Sequence, residues 1–345
     1  MRAARGPGDW LGSRSRLSHN QQVTVRNDLN ATSVATTRAW LATGLSRSEL
    51  ARLVGTGELV RMRYGTYAKA SMVAAAEADP VLAHALDVAG AIARQPRAVA
   101  SHQSAATLRG LDLLKAPLAG TVFVTIPPGA RAGSYRRANV IRHSAVLPET
   151  HLTKLFGLPT TTAARTVVDI ARTSAFMAGV VTADSALRER WASKTELRSV
   201  LASCDGWPGI SGARTAVEFA SPLAESVLES CARVVFHEAG LPPPELQVIV
   251  FGQGGSKIAR VDFLWREWGV VAEADGLIKY QTGADAIAEL KRDRLLREQQ
   301  LEVIHFTWEE LFRESDRVVD RIRVAFERAR RLRQPPRDRS DPRPS

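Results

Sequence analysis

Three carboxylates, Asp262, Glu273 and Asp275, stand in the segment RVDFLWREWGVVAEADGLIKY (260–280), at the ends of two β-rich runs whose other residues are largely apolar. An ionised carboxylate is costly to hold in a sheet core without a partner, so acids placed this way ask for a cation. Alternation sets Val261 and Phe263 on one face of the first run and Asp262 on the other, and gives Val271, Glu273 and Asp275 a common face. A short hairpin through Trp265 to Trp268 would bring Asp262 and Glu273 together at one sheet edge. Hard oxygen ligands of this kind suit Mg2+ or Mn2+. Such an ion lowers the pKa of a bound water and screens a phosphate under in-line attack. Asp262, Glu273 and Asp275 are therefore the predicted metal ligands, and one of Glu225 and Glu229, one turn apart on a preceding helix, could complete the shell. Lys279, four residues past Asp275, is the candidate to stabilise transition-state charge or to orient the water.

At 345 residues the chain is long enough for two or three domains, and its 45% apolar content supports real cores. Two cysteines without motif spacing, Cys204 and Cys231, exclude a disulfide framework or a thiolate zinc site and suit a reducing cytoplasm. The seven histidines show no metal-binding pair spacing. No apolar run reaches the roughly 18 residues of a membrane span, so no membrane partner is expected. A net charge of +11, with Arg far outnumbering Lys, points to a polyanionic partner, most simply DNA. The start, MRAARGPGDWLGSRSRLSHN, lacks the apolar centre of a signal peptide and reads as a disordered basic tail over 1–20.

The expected organisation is α/β, of multidomain α+β type. Residues 21–70 read as a winged helix-turn-helix. A short helix is expected over Val34–Ala42, and Ser46 and Glu49 have capping-box spacing for a second one. Gly44 joins them, and a hairpin (59–63, turn at Tyr64-Gly65, 66–68) forms the wing. Arg38, Arg47 and Arg52 on the helices and Arg61 and Arg63 on the wing are the candidate DNA contacts. Residues 71–215 read as a central mixed α/β domain. Its expected helices cover 74–94, 101–109, 161–173, 178–190 and 194–203, and its strands 121–126 and 138–143. Gly206-Trp207-Pro208-Gly209 reads as a linker. Residues 216–330 give the order αβββαβα: a helix over 222–239, strands at 247–251, 258–264 and 269–274, a charged helix at 284–299, a strand at 302–306 and a helix from Trp308. Lys291 and Arg292 on the charged helix are candidates for a phosphate track. The end, 331–345, reads as a disordered tail.

The order αβββαβα with D-x10-E-x-D resembles the PD-(D/E)XK, restriction-endonuclease-like fold. More closely, LAESVLES, GLPPPELQ, RVDFLW, VVAEADGLIKY and KRDRLLREQQLEVIHFTWEEL are similar to an actinobacterial family related to very-short-patch-repair endonucleases. Asp262 matches the first motif acid and Glu273 the second. The lysine usual two residues later is replaced by Asp275, with Lys279 as a migrated substitute. The segment TTRAWLATGLSRSELARLVGTGELVRMRYGTYA resembles the winged-helix domain of AbiEi-type antitoxins from abortive-infection toxin–antitoxin systems. The segments SHQSAATLRGLDLL, RTVVDIAR and ADSALRER look like the region that follows it in related proteins. The resemblance implies a DNA-binding protein with Mg2+- or Mn2+-dependent endonuclease-like chemistry in a defence setting, with a cognate toxin or other protein as a further partner. The alternative is a non-catalytic antitoxin-like regulator whose nuclease-like domain only binds DNA or a partner.

Weaker signals carry less. Gly252 to Gly255 is a hairpin turn with no phosphate-loop lysine. Ser101-His102 lacks a paired acid pattern and reads as structural, and His305 in VIHF reads as a packed core residue.

Overall fold

In the computed structural model, which describes residues 34–95, 97–129, 135–137, 139–276 and 283–333, the chain divides between Pro222 and Leu223 into two units. The fold is mixed α/β, with the described strands in three sheets. No helix among the described residues is long and apolar enough to cross a membrane.

The first unit opens with β1 (Val34–Thr36), α1 (Thr37–Ala42), α2 (Arg47–Gly55), β2 (Leu59–Arg63) and β3 (Thr66–Lys69). Ser46 and Glu49 form the expected reciprocal cap of α2: Ser46 Oγ accepts the Glu49 amide at 3.1 Å, and Glu49 accepts the Ser46 amide at 2.8 Å. The helix expected over Val34–Ala42 starts only at Thr37. Thr36 is its N-cap, accepting the Ala39 amide, while residues 34–36 pair antiparallel with Thr66–Ala68. Sheet hydrogen bonds and the burial of Val34 outweigh local helix propensity. The sheet order is β1-β3-β2.

The helix expected over 74–94 is two helices, α3 (Ala70–Ala76) and α4 (Pro80–Ile92). Asp79 caps the second by accepting the amides of Val81 and Leu82, and Pro80 occupies the first turn, where a missing N–H is harmless. Next come β4 (Val99–Ala100), α5 (His102–Arg109), β5 (Val122–Ile126), β6 (Tyr135–Arg137) and β7 (Val140–Ser144). A hairpin of β8 (Leu152–Leu155) and β9 (Leu158–Thr161) leads to helices α6 (Ala163–Thr173), α7 (Phe176–Arg188), α8 (Lys194–Ser203) and α9 (Ile210–Phe219). The second sheet runs β6-β7-β5-β4-β9-β8. Its core joins Leu86 and Val88 of α4 to Val122 and Val124 of β5 and to Ala68 of the hairpin.

Residues 206–209 are not a linker. The Trp207 ring packs against Arg165 and Arg172, and α9 continues the unit behind it. Gly209 has φ +79°, and a Cβ there would lie 2.0 Å from the Arg172 carbonyl oxygen, so only glycine fits.

The second unit runs α10 (Val227–Glu238), β10 (Glu245–Phe251), β11 (Lys257–Trp265), β12 (Val270–Asp275), α11 (Gly283–Glu298), β13 (Glu302–Thr307), α12 (Trp308–Arg313) and α13 (Ser315–Arg333). Its first helix starts at Val227, five residues later than expected, because Ser226 is the N-cap and accepts the Glu229 amide. Its last helix passes the expected limit at 330. The sheet is β10-β11-β12-β13, antiparallel except for the β12–β13 pair, whose crossover contains α11. Behind the sheet, Phe236 meets Phe263 and Trp265 at ring-centroid distances of 5.4 Å and Phe306 at 5.8 Å. Such pairs contribute roughly 0.5–1.5 kcal/mol each beyond area burial. The aromatic packing fixes the strands so that their other face can carry charge.

Candidate functional site

The β11–β12 register sets Phe263 opposite Ala272, so the residues just beyond this pair, Asp262 and Glu273, project from the same face of adjacent strands. On β13, His305 lies opposite Glu273 in parallel register. Asp262, Glu273, Asp275 and His305 therefore share one face. Glu273 and Asp275 are buried and Asp262 is half-buried. Asp262 Oδ2 accepts the backbone N–H of Ala274 at 2.9 Å, which pins it between the two acids of β12.

A fourth acid joins from α10. Glu229 Oε2 and Asp262 Oδ1 both accept from Gln247 Nε2, at 2.9 and 3.1 Å. Burial holds the Glu229 carboxyl above its ordinary range, and the charge of Asp262 adds to that rise. Glu225 does not join this group. It precedes the helix and makes a two-pronged pair with Arg260 at 2.9 and 2.6 Å, half exposed; only its backbone N–H reaches Glu229. The choice between the two glutamates thus falls on Glu229 by position. Lys279 lies outside the described residues.

Helix α11 contributes what the sequence reading missed. His305 Nδ1 lies 3.1 Å from Asp275 Oδ2 and 3.5 Å from Glu289 Oε1, and Nε2 lies 3.0 Å from Asp293 Oδ2. Both ring nitrogens face carboxylates, which only the doubly protonated imidazolium can satisfy as donor. The hydrogen bond to Asp275 is the main reason that the His305 pKa is pushed up to about 9. His305 is therefore not the inert core residue expected from VIHF. Asp275, Glu289 and His305 place one ligand atom each within 4.8 Å of one another, a grouping able to hold a metal ion once His305 gives up a proton. Of the two basic residues expected to line a phosphate track, Arg292 turns inward, 3.5 Å from Glu273 and 3.8 Å from Glu289, and Lys291 beside it is exposed. The i, i+4 spacing of Glu289 and Asp293, with Leu296 on the same side of the helix, was the available signal for these groups.

Of the amino-terminal arginines, Arg38, Arg47, Arg52 and Arg61 are exposed. Arg52 pairs with Glu58 at 3.3 Å, and Arg61 lies over the Tyr64 ring at 5.2 Å. Arg63 is different: its Nη2 donates to the Gly120 carbonyl at 2.9 Å and its stem packs near Gly90. It is committed to the interior of the first unit, which corrects its assignment as a DNA contact.

No family model matches the sequence. Two uncharacterized proteins of Mycobacterium tuberculosis, one from strain CDC 1551 / Oshkosh and one from strain ATCC 25618 / H37Rv, are each 32% identical to it over 289 residues, 83% of this chain and 99% of theirs. The chain therefore belongs to the family that these two mycobacterial proteins represent.

Proposed function

We propose that the second unit is a metal-dependent phosphodiesterase acting on DNA, of PD-(D/E)XK type, and that the amino-terminal helices and hairpin act as a winged helix that holds the duplex. One observation carries this reading: Asp262 and Glu273 leave the same face of adjacent strands, with Asp262 tied by hydrogen bonds to Ala274 and, through Gln247, to Glu229. The donors are hard carboxylate oxygens on rigid elements, a set that fits Mg2+ or Mn2+. Asp262 and Glu273 would hold the ion, with Asp275 beside them and Glu229 as the adjoining acid. When bound, such an ion activates water and screens phosphate charge.

The chain's own residues have separate tasks. Gln247 fixes the spacing of Glu229 and Asp262 with a neutral donor. Glu229, whose carboxyl burial and the charge of Asp262 raise above its ordinary range, is the acid of this group suited to proton transfer. The imidazolium of His305 keeps Asp275 oriented. Exposed Arg38, Arg47 and Arg61 are available for phosphate contacts, and the sequence leaves charge stabilisation to Lys279.

The test is to incubate the purified chain and Asp262→Asn with plasmid and linear DNA in Mg2+ or Mn2+. Cutting by the parent chain and its loss in the variant are expected. Equal cutting by both, or none by either on any substrate, rejects the enzymatic reading.

A second reading has its own support. Arg292 beside Glu273 and His305 beside Asp275 already compensate two of the acids from within the chain. A non-catalytic, antitoxin-like regulator would show that pattern. Binding at its own promoter without metal dependence would decide for it.

A further inference from the structure

A cavity of about 400 Å³ in the first unit is walled by His143, Ser144, Ala145, Arg172, Trp207 and Pro208. Its size lies within the roughly 300–1,000 Å³ of small-molecule sites. The phosphodiesterase reading makes no use of it. Beneath it Asp169 is fully buried on α6, and its two oxygens accept from Arg165 Nε at 2.8 Å and Arg172 Nε at 3.0 Å. One carboxylate therefore serves two guanidinium groups, leaving a surplus positive charge in a poorly hydrated place. Such a surplus is costly unless an anion answers it.

The two arginines differ in what remains open to them. Arg165 is enclosed, its Nη1 facing His151 Nδ1 at 3.3 Å and the Val146 carbonyl at 3.4 Å. Arg172 lines the cavity, and among the described residues only its Nε is hydrogen-bonded. Its terminal nitrogens are thus available donors. Trp207 holds the guanidinium in place, 5.1 Å from the ring centroid, and the tight fit of Gly209 against Arg172 clamps that wall. His143 also lines the cavity, and its ring stacks on that of His102 at 3.7 Å.

We propose that this cavity binds a small oxyanion of the phosphate-ester class, with Arg172 as the anion's donor and His143 as a second polar contact. Guanidinium presents paired N–H groups that match phosphate oxygens. The cavity is larger than a bare phosphate needs, and Ala145, Trp207 and Pro208 supply an apolar surface for the body of an ester.

The experiment is calorimetric titration of the full chain, in chloride buffer, with inorganic phosphate and with adenosine monophosphate, beside thermal unfolding in each. Both ligands should bind and raise the Tm, the ester more tightly. Arg172→Met should weaken both by about tenfold or more, as expected for losing a charge-assisted contact. If Arg172→Met does not fold, His143→Phe, which keeps the ring stack and removes the nitrogens, should weaken binding in its place. No binding of either ligand, or undiminished binding by a folded variant, overturns the proposal. Binding of inorganic phosphate alone overturns the assignment to an ester.

Discussion

Gln247 Nε2 stands between Glu229 and Asp262, donating to Glu229 at 2.9 Å and to Asp262 at 3.1 Å. The residue has φ +54°, a left-handed conformation uncommon outside glycine and asparagine. The flanking pairs Leu246–Phe263 and Val248–Val261 keep a single register across it. The backbone is thus distorted at one position, and the side chain there joins two acids. Strain of this kind concentrates at functional sites, where the surroundings over-determine it.

Replacing Gln247 with Ala should leave Glu229 and Asp262 facing each other without a shared donor. Destabilisation of about 1–3 kcal/mol is expected, the range for leaving buried polar groups unsatisfied. The Glu229 carboxyl should titrate still higher, since burial and Asp262 raise it already and the Gln247 bond opposes them. Denaturant unfolding and carboxyl-resolved NMR titration check both effects. An unchanged stability together with an unchanged Glu229 titration would show that the bridge is incidental.

Arginines of the first unit should separate into two kinds. On the proposed winged-helix reading, Arg47→Ala or Arg61→Ala leaves stability nearly unchanged and weakens DNA binding across sequences. Each should lower the salt-dependence slope by about 1, the signature of one lost phosphate contact. Arg63→Ala should instead cost stability, because its guanidinium bonds the Gly120 carbonyl inside the unit. Fluorescence anisotropy over a salt series, with thermal unfolding alongside, distinguishes the two. A slope that falls with Arg63 and not with Arg47 or Arg61 would invert the assignment.

The line between what could be read from sequence and what could not follows interaction range. Alternation along β11 and β12, joined by a short hairpin, set Asp262, Glu273 and Asp275 on one face, and Ser46 and Glu49 announced the cap of α2, because both signals are local in the chain. His305 reads as packed core and Arg292 as a phosphate-track residue in the sequence since their acidic partners meet them only through the crossover of α11, a relation with no local period. The two-residue strand at Val99–Ala100 exists through pairing with the distant segments at Val124–Thr125 and Thr160 rather than through pattern. Gly206 to Gly209 looked like a linker because turn residues read alike whether they are solvated or wedged beneath a helix end.

Gly209→Ala tests that last point. The added methyl group would meet the Arg172 carbonyl oxygen at 2.0 Å, and the backbone sits at φ +79°. Left-handed strain of about 1–2 kcal/mol adds to a clash that only backbone movement can relieve. Destabilisation above about 2 kcal/mol is therefore expected, with the first unit unfolding earlier in a thermal scan. A flexible connector would tolerate alanine with no measurable change.

Two buried histidines should make the first unit sensitive to mild acid. Burial depresses His84 to about 4, with the charge of Arg63 adding to the effect, and His102 to about 3. Both lie below the value of about 6.5 expected in the unfolded chain. As pH falls below about 6.5 the unfolded chain gains protons that the folded one refuses. Stability is therefore fully present above that pH and declines toward pH 4, by about 1.4 kcal/mol per pH unit for each histidine. Between pH 6.5 and 5, above the ordinary carboxylate range, His143 and His151, also lowered by burial, add to this slope, while the raised His305 of the second unit opposes it. His84→Gln retains a polar partner for Ser104, whose Oγ lies 2.9 Å from His84 Nε2, and removes one titrating site. Urea unfolding across that window should show a slope in the variant lower by close to one proton. A pH-independent parent chain, or a variant with the parent's slope, would mean that His84 is hydrated enough to titrate normally in the folded state.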